Sequence, residues 1–285
     1  MAELIRILVE PLQNYEFMRL ALCTGIMVGS LCSVLSCFLI IKRWALLGDA
    51  VSHSVLPGVA VSYLLGLPYF TGALFAGVLS SLGIGFIQKE TRLKEDASMG
   101  VVFTATFALG VAIISVVRGR VNLFDILFGN ILTVSEQDFW LTFVTGVLVI
   151  TVLIIFYRPV VFWAFDPVGA RVVGIPVNFL HYLMMFMLTA TIVASLRTVG
   201  IVMVIAMLIT PGAAAYLLVY RLPAMILLSL IFGNLSAVSG LYISYYLDLA
   251  TGAVMVMVAS ILFLLAFFFS PSQGLIRRLK GTAVE

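Results

Sequence analysis

Long apolar runs without formal charge recur along the chain, and short segments between them carry most of the charged residues. A helix that crosses the hydrocarbon core of a membrane needs about 20 mostly apolar residues. The runs therefore predict nine membrane-spanning helices, or eight spans and one re-entrant or interfacial segment. The predicted spans are Leu20–Ile41, Trp44–Gly66, the part of the uncharged run Ser54–Gln88 that follows Pro68, Ala97–Val117, Phe139–Tyr157, Val172–Leu196, Thr198–Tyr220, Leu222–Leu247 and Leu249–Leu275.

The composition agrees with this pattern and excludes several classes of protein. Of the 285 residues, 63% are hydrophobic and 10% are charged, whereas a soluble domain is about 45–50% apolar and about 25% charged. A soluble enzyme and a disordered chain are excluded, and a net charge of +3 without a long basic stripe argues against nucleic-acid binding. We expect an all-α polytopic membrane protein with a single transmembrane domain over residues 1–285.

The distribution of lysine and arginine predicts the orientation. If all nine segments span, most of these residues lie on one side, which favours a cytoplasmic C-terminus with residues 271–285 as a cytoplasmic tail. Residues 1–16 carry charges and lack a continuous apolar core, so they predict an amphipathic segment rather than a cleavable signal peptide. The side of the N-terminus depends on whether eight or nine segments span.

Two ionisable residues lie inside the second predicted span. Asp49 and His53 are four residues apart, so on a helix their side chains share one face. At about 1.5 Å per residue, His53 lies ~15 Å from Arg43 and therefore near the middle of the membrane. Ionisable groups at that depth are costly and usually functional.

Pro57 and Gly58 predict a break in the same helix. Proline has no N–H, so it leaves the carbonyl group four residues earlier, that of His53, without its helical partner. Broken helices with free carbonyl groups recur in cation transporters. The favoured interpretation is a site for Mn(II), Fe(II) or Zn(II). There are two alternatives: Asp49 and His53 only form hydrogen bonds with each other or with a neighbouring helix, or they act as a proton relay.

Two ligands are too few to hold a divalent cation alone. A two-fold homodimer would contribute two aspartates and two histidines to one ion on its axis. We expect no permanently bound cofactor.

Residues 165–178 predict a short helix outside the membrane. Asp166 is a good N-cap and Pro167 is favoured at the first helical position. Ala170 and Gly174 are small and four apart, which suits docking into a cleft of a partner, although an ordinary loop helix is the alternative. Further along, Pro211 and Gly212 interrupt a span and predict either a gate or close packing.

Four stretches make the chain resemble a known family: RWALLGDAVSHSVLPG, LFGNIL, FDPVGARVVGIPVNFLHY and VGIVMVIAMLITPGAAA. They resemble the permease subunits of ATP-binding-cassette importers of manganese, zinc or iron, most of all manganese permeases of the pneumococcal type. The resemblance covers about Phe17–Ser270. One departure is TPGAAA, with Gly212 where relatives often have alanine.

The resemblance implies a function and a set of partners. Asp49 and His53 would be the metal ligands, and the short helix, with Asp166, Pro167, Ala170, Arg171 and Gly174, would touch the ATPase. The implied partners are an ATP-binding-cassette ATPase, an extracytoplasmic metal-binding protein, a second permease copy and the bilayer of the bacterial cytoplasmic membrane.

The sequence also indicates where the energy for transport comes from. It has no GxxxxGK[ST] motif, so we expect a transport subunit that is not itself an enzyme. Mn(II) is the expected substrate of alternating-access transport. A zinc or iron importer of the same family and an ATP-independent secondary cation transporter are the alternatives.

Overall fold

A computed structural model describes residues 10–11, 13–116, 131 and 134–270. The elements of this part of the chain are helices. Their bounds are α1 Glu16–Lys42, α2 Ala45–Ser54, α3 Leu56–Leu65, α4 Tyr69–Glu90, α5 Glu95–Val116, α6 Glu136–Ile155, α7 Tyr157–Phe165, α8 Pro167–Val172, α9 Val177–Val199, α10 Ile201–Leu218, α11 Leu222–Leu247 and α12 Thr251–Phe269.

Nine candidate spans occur among these described residues, with α2 and α3 together forming one of them. The prediction of an all-α polytopic membrane protein is therefore confirmed. Local signals fix several helix ends. Glu95 and Asp96 lie in the first turn of α5, where negative charge favours the helix dipole, and a proline lies in the first turn of α11.

One predicted span begins later than expected. The run Val172–Leu196 becomes a helix only from Val177, because Val172 is the last residue of α8. Gly174 follows with a φ of 86°, a left-handed conformation that glycine adopts without steric cost. The short helix therefore ends before Pro176.

The chain forms two compact units, and each is described by itself. Unit 1 contains residues 1–40, 124–143 and 197–285. Within it, α1 packs on α11 through small residues. Asn234 Nδ2 donates to Ser30 Oγ at 2.9 Å, and Ser229 Oγ donates to the Ser33 carbonyl oxygen at 2.9 Å. Small and polar residues of this kind join helices inside a bilayer, because lipid provides no hydrophobic drive for association.

Unit 2 contains residues 41–123 and 144–196. Here α2 and α3 both pack against α4 and α5, and α7 packs against α8. A hydrogen bond of 2.6 Å between the hydroxyl groups of Ser81 and Thr189 joins α4 to α9. Unit 2 holds both Asp49 and the short helix α8, so it contains the two regions that the sequence singled out.

Some predicted features lie outside the described residues. They are positions 1–9 and 12 of the amphipathic segment, the LFGNIL stretch apart from Ile131, and the tail over residues 271–285. The single domain over residues 1–285 stays a prediction.

Candidate functional site

Asp49 and His53 lie on one face of α2, as their spacing predicts. His53 Nε2 is 3.4 Å from Asp49 Oδ1. The Asp49 side chain is 45% exposed and the His53 side chain is 22% exposed. A carboxylate oxygen and an imidazole nitrogen therefore lie at the surface of unit 2, close enough to hold one ion jointly.

The helix that carries this pair breaks directly after it. α2 ends at Ser54 and α3 begins at Leu56, with Pro57 in its first turn. The His53 carbonyl oxygen, which was expected to be free, accepts a hydrogen bond from the backbone N–H of Val55. This part of the prediction is wrong, because the chain turns at Val55 and supplies a local donor in place of the one that proline lacks.

The break is tightly enclosed by glycines of two neighbouring helices. A Cβ atom added at Gly58 would overlap the Gly72 carbonyl oxygen of α4. On the other side, a Cβ atom at Gly110 of α5 would lie 2.9 Å from the Pro57 nitrogen. Backbone therefore meets backbone around Pro57, so the neighbouring helices fix the position of the break.

Two aromatic rings of α5 flank the imidazole of His53. The ring centroids of Phe103 and Phe107 lie 5.5 Å and 5.6 Å from that of His53. The His53 Nδ1 atom is buried and finds no hydrogen-bond partner among the described residues. The ring is thus held by packing on one side, while its Nε2 atom faces Asp49.

Hydroxyl groups complete the contact between α2 and α5. Ser54 Oγ of α2 and Thr106 Oγ1 of α5 are hydrogen-bonded at 2.7 Å. Within α2, Ser52 Oγ donates to the Asp49 carbonyl oxygen at 2.9 Å. These residues of α5 were not predicted from the sequence. Phe103, Phe107 and Gly110 follow one another at spacings of four and three, a single helix face whose importance is visible only once α5 packs on α2.

The pair provides two ligands for a cation. Within the described part of the chain, no group of three or more His, Cys, Asp or Glu side chains is placed to hold a metal ion. An Asp and His pair suits Mn(II), Fe(II) and Zn(II) alike. Among the described His, Cys, Asp and Glu side chains, the pair alone therefore provides two ligands, fewer than a divalent cation needs.

The short helix α8 is capped as its sequence predicts. Asp166 Oδ1 accepts a hydrogen bond of 2.8 Å from the backbone N–H of Gly169, and Pro167 occupies the first turn. Ala170, however, is fully buried and cannot touch a partner directly. Its small size instead suits close packing of α8, and Arg171 is exposed.

The outward surface of α8 is apolar, which the sequence analysis missed. Val168, Val172 and Val173 are 75%, 83% and 70% exposed. Val168 and Val172 share one helix face, since they are four residues apart. Together with the neighbouring exposed Phe165 they form the surface that we call the valine patch.

In unit 1, Pro211 lies inside α10 and Gly212 packs against α1. The Gly212 N–H donates to Ser36 Oγ at 3.0 Å, and Ser36 Oγ donates to the Ile209 carbonyl oxygen at 3.2 Å. A Cβ atom at Gly212 would overlap the Ser36 side chain. Gly212 thus permits close packing, and the Ser36 hydroxyl group compensates for the disturbed helical bonds next to Pro211.

Arg197, at the end of α9, pairs with an acidic residue of the same unit. Its Nη1 atom lies 3.2 Å from Asp138 Oδ1, and Ser135 Oγ donates to Asp138 Oδ2 at 2.6 Å. Much of the arginine charge is therefore balanced locally.

Comparisons with known proteins agree on one family. A family model described as "ABC 3 transport family" matches residues 14–270. The chain is 50% identical over 270 residues to the manganese transport system membrane protein MntC of Halalkalibacterium halodurans. The matched region covers 94% of this chain and 92% of that protein.

Two further matches cover almost the whole chain. It is 42% identical to a Haemophilus influenzae protein named "Probable iron transport system membrane protein", over 99% of both chains. A solved structure of PsaBC from Streptococcus pneumoniae in complex with Fab matches with a TM-score of 0.85 and 40% identity, over 98% of this chain and 99% of that one.

Proposed function

The chain belongs to the ABC 3 transport family and is a multi-pass membrane permease of a bacterial ABC metal importer, and we propose that its transported substrate is Mn(II) and that the ion passes the Asp49/His53 pair. The observation that carries this proposal is the 3.4 Å approach of His53 Nε2 to Asp49 Oδ1 beside a helix break. Ionisable groups inside a membrane-spanning segment are expensive, and a cation pathway accounts for that cost.

A second copy of the chain would complete the site. In a two-fold dimer, the exposed edge of the pair would meet its equivalent, so that one ion has two carboxylates and two imidazoles. The lack of a third His, Cys, Asp or Glu ligand among the described residues supports this arrangement. Such a site is assembled or opened by moving two copies relative to each other, which suits alternating access.

ATP hydrolysis would be supplied by a separate ATPase that docks on the valine patch. The sequence contains no GxxxxGK[ST] motif. Val168 and Val172 on the capped helix α8, with Val173 directly after it, provide exposed apolar surface, and apolar surface of this kind marks interaction sites. An extracytoplasmic metal-binding protein would deliver the ion on the other side.

Manganese is favoured over iron and zinc by the relatives rather than by the ligands. The MntC protein of Halalkalibacterium halodurans is named for manganese transport, whereas Asp and His accept all three metals. Zn(II) binds N and O ligands more tightly than Mn(II) in the usual order of affinities. We therefore expect Zn(II) to occupy the site and to inhibit uptake of Mn(II).

The test is uptake of radioactive Mn(II) by cells that express this chain with its partner ATPase and its metal-binding protein. Asp49→Asn removes the charge of one ligand and should lower uptake by at least about tenfold, since charge-assisted contacts contribute about 1.5–3 kcal/mol. Asp248→Asn is the matched control, because Asp248 has a φ of 53° that asparagine also adopts readily.

Two results would contradict the proposal. Uptake that is unchanged in Asp49→Asn would place the ion pathway elsewhere. Uptake that persists without the ATPase would favour a secondary transporter driven by an ion gradient.

A further inference from the structure

Two buried tryptophans meet at the beginning of α2, and neither takes part in the predicted metal site. Trp44 and Trp163 are each 1% exposed. The indole N–H of Trp44 donates to Glu95 Oε2 at 2.9 Å. A buried tryptophan normally needs a partner for its N–H, and here that partner is the first residue of α5.

His181 and Lys42 complete the group. The ring centroids of Trp44 and Trp163 are 5.7 Å apart. The ring centroid of His181 lies 5.0 Å from that of Trp44, with an angle of 90° between the two ring planes. The Lys42 Nζ atom lies 4.3 Å from the centroid of Trp163, which is cation–π distance. We call these residues the tryptophan cluster: Lys42, Trp44, Glu95, Trp163 and His181.

The cluster joins the ends of three functional elements. Trp44 directly precedes α2, which carries Asp49 and His53. Glu95 begins α5, whose phenylalanines flank His53. Trp163 lies on α7, three residues before the cap of α8.

The backbone at this point is also constrained. Arg43, between the last residue of α1 and Trp44, has a φ of 59°. A left-handed conformation at a residue other than glycine is strained and persists only where the surroundings hold it. The cluster is therefore a fixed junction rather than a loose turn.

We propose that Trp44 and Trp163 are positioning residues that transmit a displacement of α7 and α8 to α2 and α5. The inference rests on the proposed function, because it requires an ATPase that moves α8. Close-packed aromatic rings do not compress, so a shift of Trp163 must displace Trp44. The hydrogen bond to Glu95 then moves α2 and α5 together and keeps His53 against its phenylalanines.

The experiment uses the complete importer, with its ATPase and metal-binding protein, in proteoliposomes. It measures two quantities. One is the transport ratio, which is the number of Mn(II) ions transported per ATP hydrolysed, and the other is the affinity of the resting complex for Mn(II). Trp163→Leu should lower the transport ratio between about two- and thirtyfold, the range for residues along a coupling route. The affinity should stay within about twofold of the wild-type value.

Three further variants separate positioning from stability. Trp163→Phe keeps an aromatic ring and should restore most of the ratio. Trp44→Phe keeps the ring but removes the donor to Glu95, so it should lower the ratio. Trp140→Leu is the matched control, because Trp140 is exposed on α6 and its replacement should leave the ratio unchanged.

The outcomes distinguish the two proposals. A wild-type complex without ATP-dependent Mn(II) transport would overturn the proposed function. If the wild type transports but Trp163→Leu keeps its ratio, the tryptophan cluster does not couple the two regions and only the inference fails. If Trp163→Leu does not assemble, Trp44→Phe decides, and an unchanged ratio in that variant overturns the inference.

Discussion

At the scale of single residues, the predicted metal ligands are surrounded mostly by groups without charge. Phenylalanine rings flank His53, and glycines lie around Pro57. A low-polarity environment strengthens the attraction between Asp49 and a cation, but it raises the cost of an unpaired charge. Small changes in the packing around the break should therefore have a large effect on the stability of the protein.

Gly110→Ala tests this packing. The new methyl group would lie 2.9 Å from Leu56 Cβ and from the Pro57 nitrogen, and crowding of this kind costs about 1–3 kcal/mol. We expect a lower midpoint of thermal unfolding for the purified protein in detergent. Gly100→Ala on the same helix is the control, because its Cβ meets nothing within 4 Å; equal midpoints for the two variants would refute the argument.

The pair itself could be predicted from sequence, but its surroundings could not. Asp49 and His53 are four residues apart on one helix, so local geometry is sufficient to bring them together. Phe103 and Phe107 lie about fifty positions further along, and nothing in an apolar run indicates which face meets another helix. The bond from Val55 to the His53 carbonyl oxygen also depends on the exact position of the turn.

At the scale of helices, α8 has a local signal at both of its ends. Asp166 caps its beginning, and the left-handed Gly174 follows its end. Such a short helix would be unstable alone, because helix nucleation is costly. The cap therefore determines whether the valine patch is presented in a fixed orientation.

Asp166→Ala should loosen this helix. Loss of an N-cap costs about 1 kcal/mol, so we expect faster amide hydrogen exchange over residues 168–172. Asp166→Asn keeps a capping oxygen and should retain slow exchange. Fast exchange in both variants, or in neither, would show that the hydrogen bond to Gly169 does not stabilise α8.

The helical elements were easier to predict than their exposed faces. Spans are visible because long charge-free runs can be stable in a bilayer only as helices. The role of Ala170 was harder to predict, because a small residue in a short amphipathic helix is equally compatible with docking and with burial. The structure shows that it is buried, and that valines occupy the exposed face.

At the scale of the whole molecule, the sidedness of the loops follows from charge. With nine spans, the loop that contains Val172 and the loop that contains Leu249 lie on opposite sides of the membrane. The distribution of lysine and arginine residues predicts that the former lies in the cytoplasm. Both side chains are exposed, Val172 at 83% and Leu249 at 52%.

Single cysteines test this orientation in a chain whose exposed Cys23 is replaced by alanine. A membrane-impermeant maleimide should label Leu249→Cys in intact cells and Val172→Cys only in inverted vesicles. The Cys23→Ala parent without an added cysteine provides the background. The reverse labelling pattern would invert the proposed topology, including the cytoplasmic C-terminus.

The tryptophan cluster also gives the protein a built-in optical reporter. The chain contains 3 tryptophans, and Trp44 and Trp163 both belong to the cluster, whereas Trp140 is exposed on α6. In a Trp140→Phe background, all tryptophan fluorescence of the purified permease would arise from the junction between α2 and α7. Lys42 lies close to both rings, so a displacement of either helix would change the emission without any attached dye.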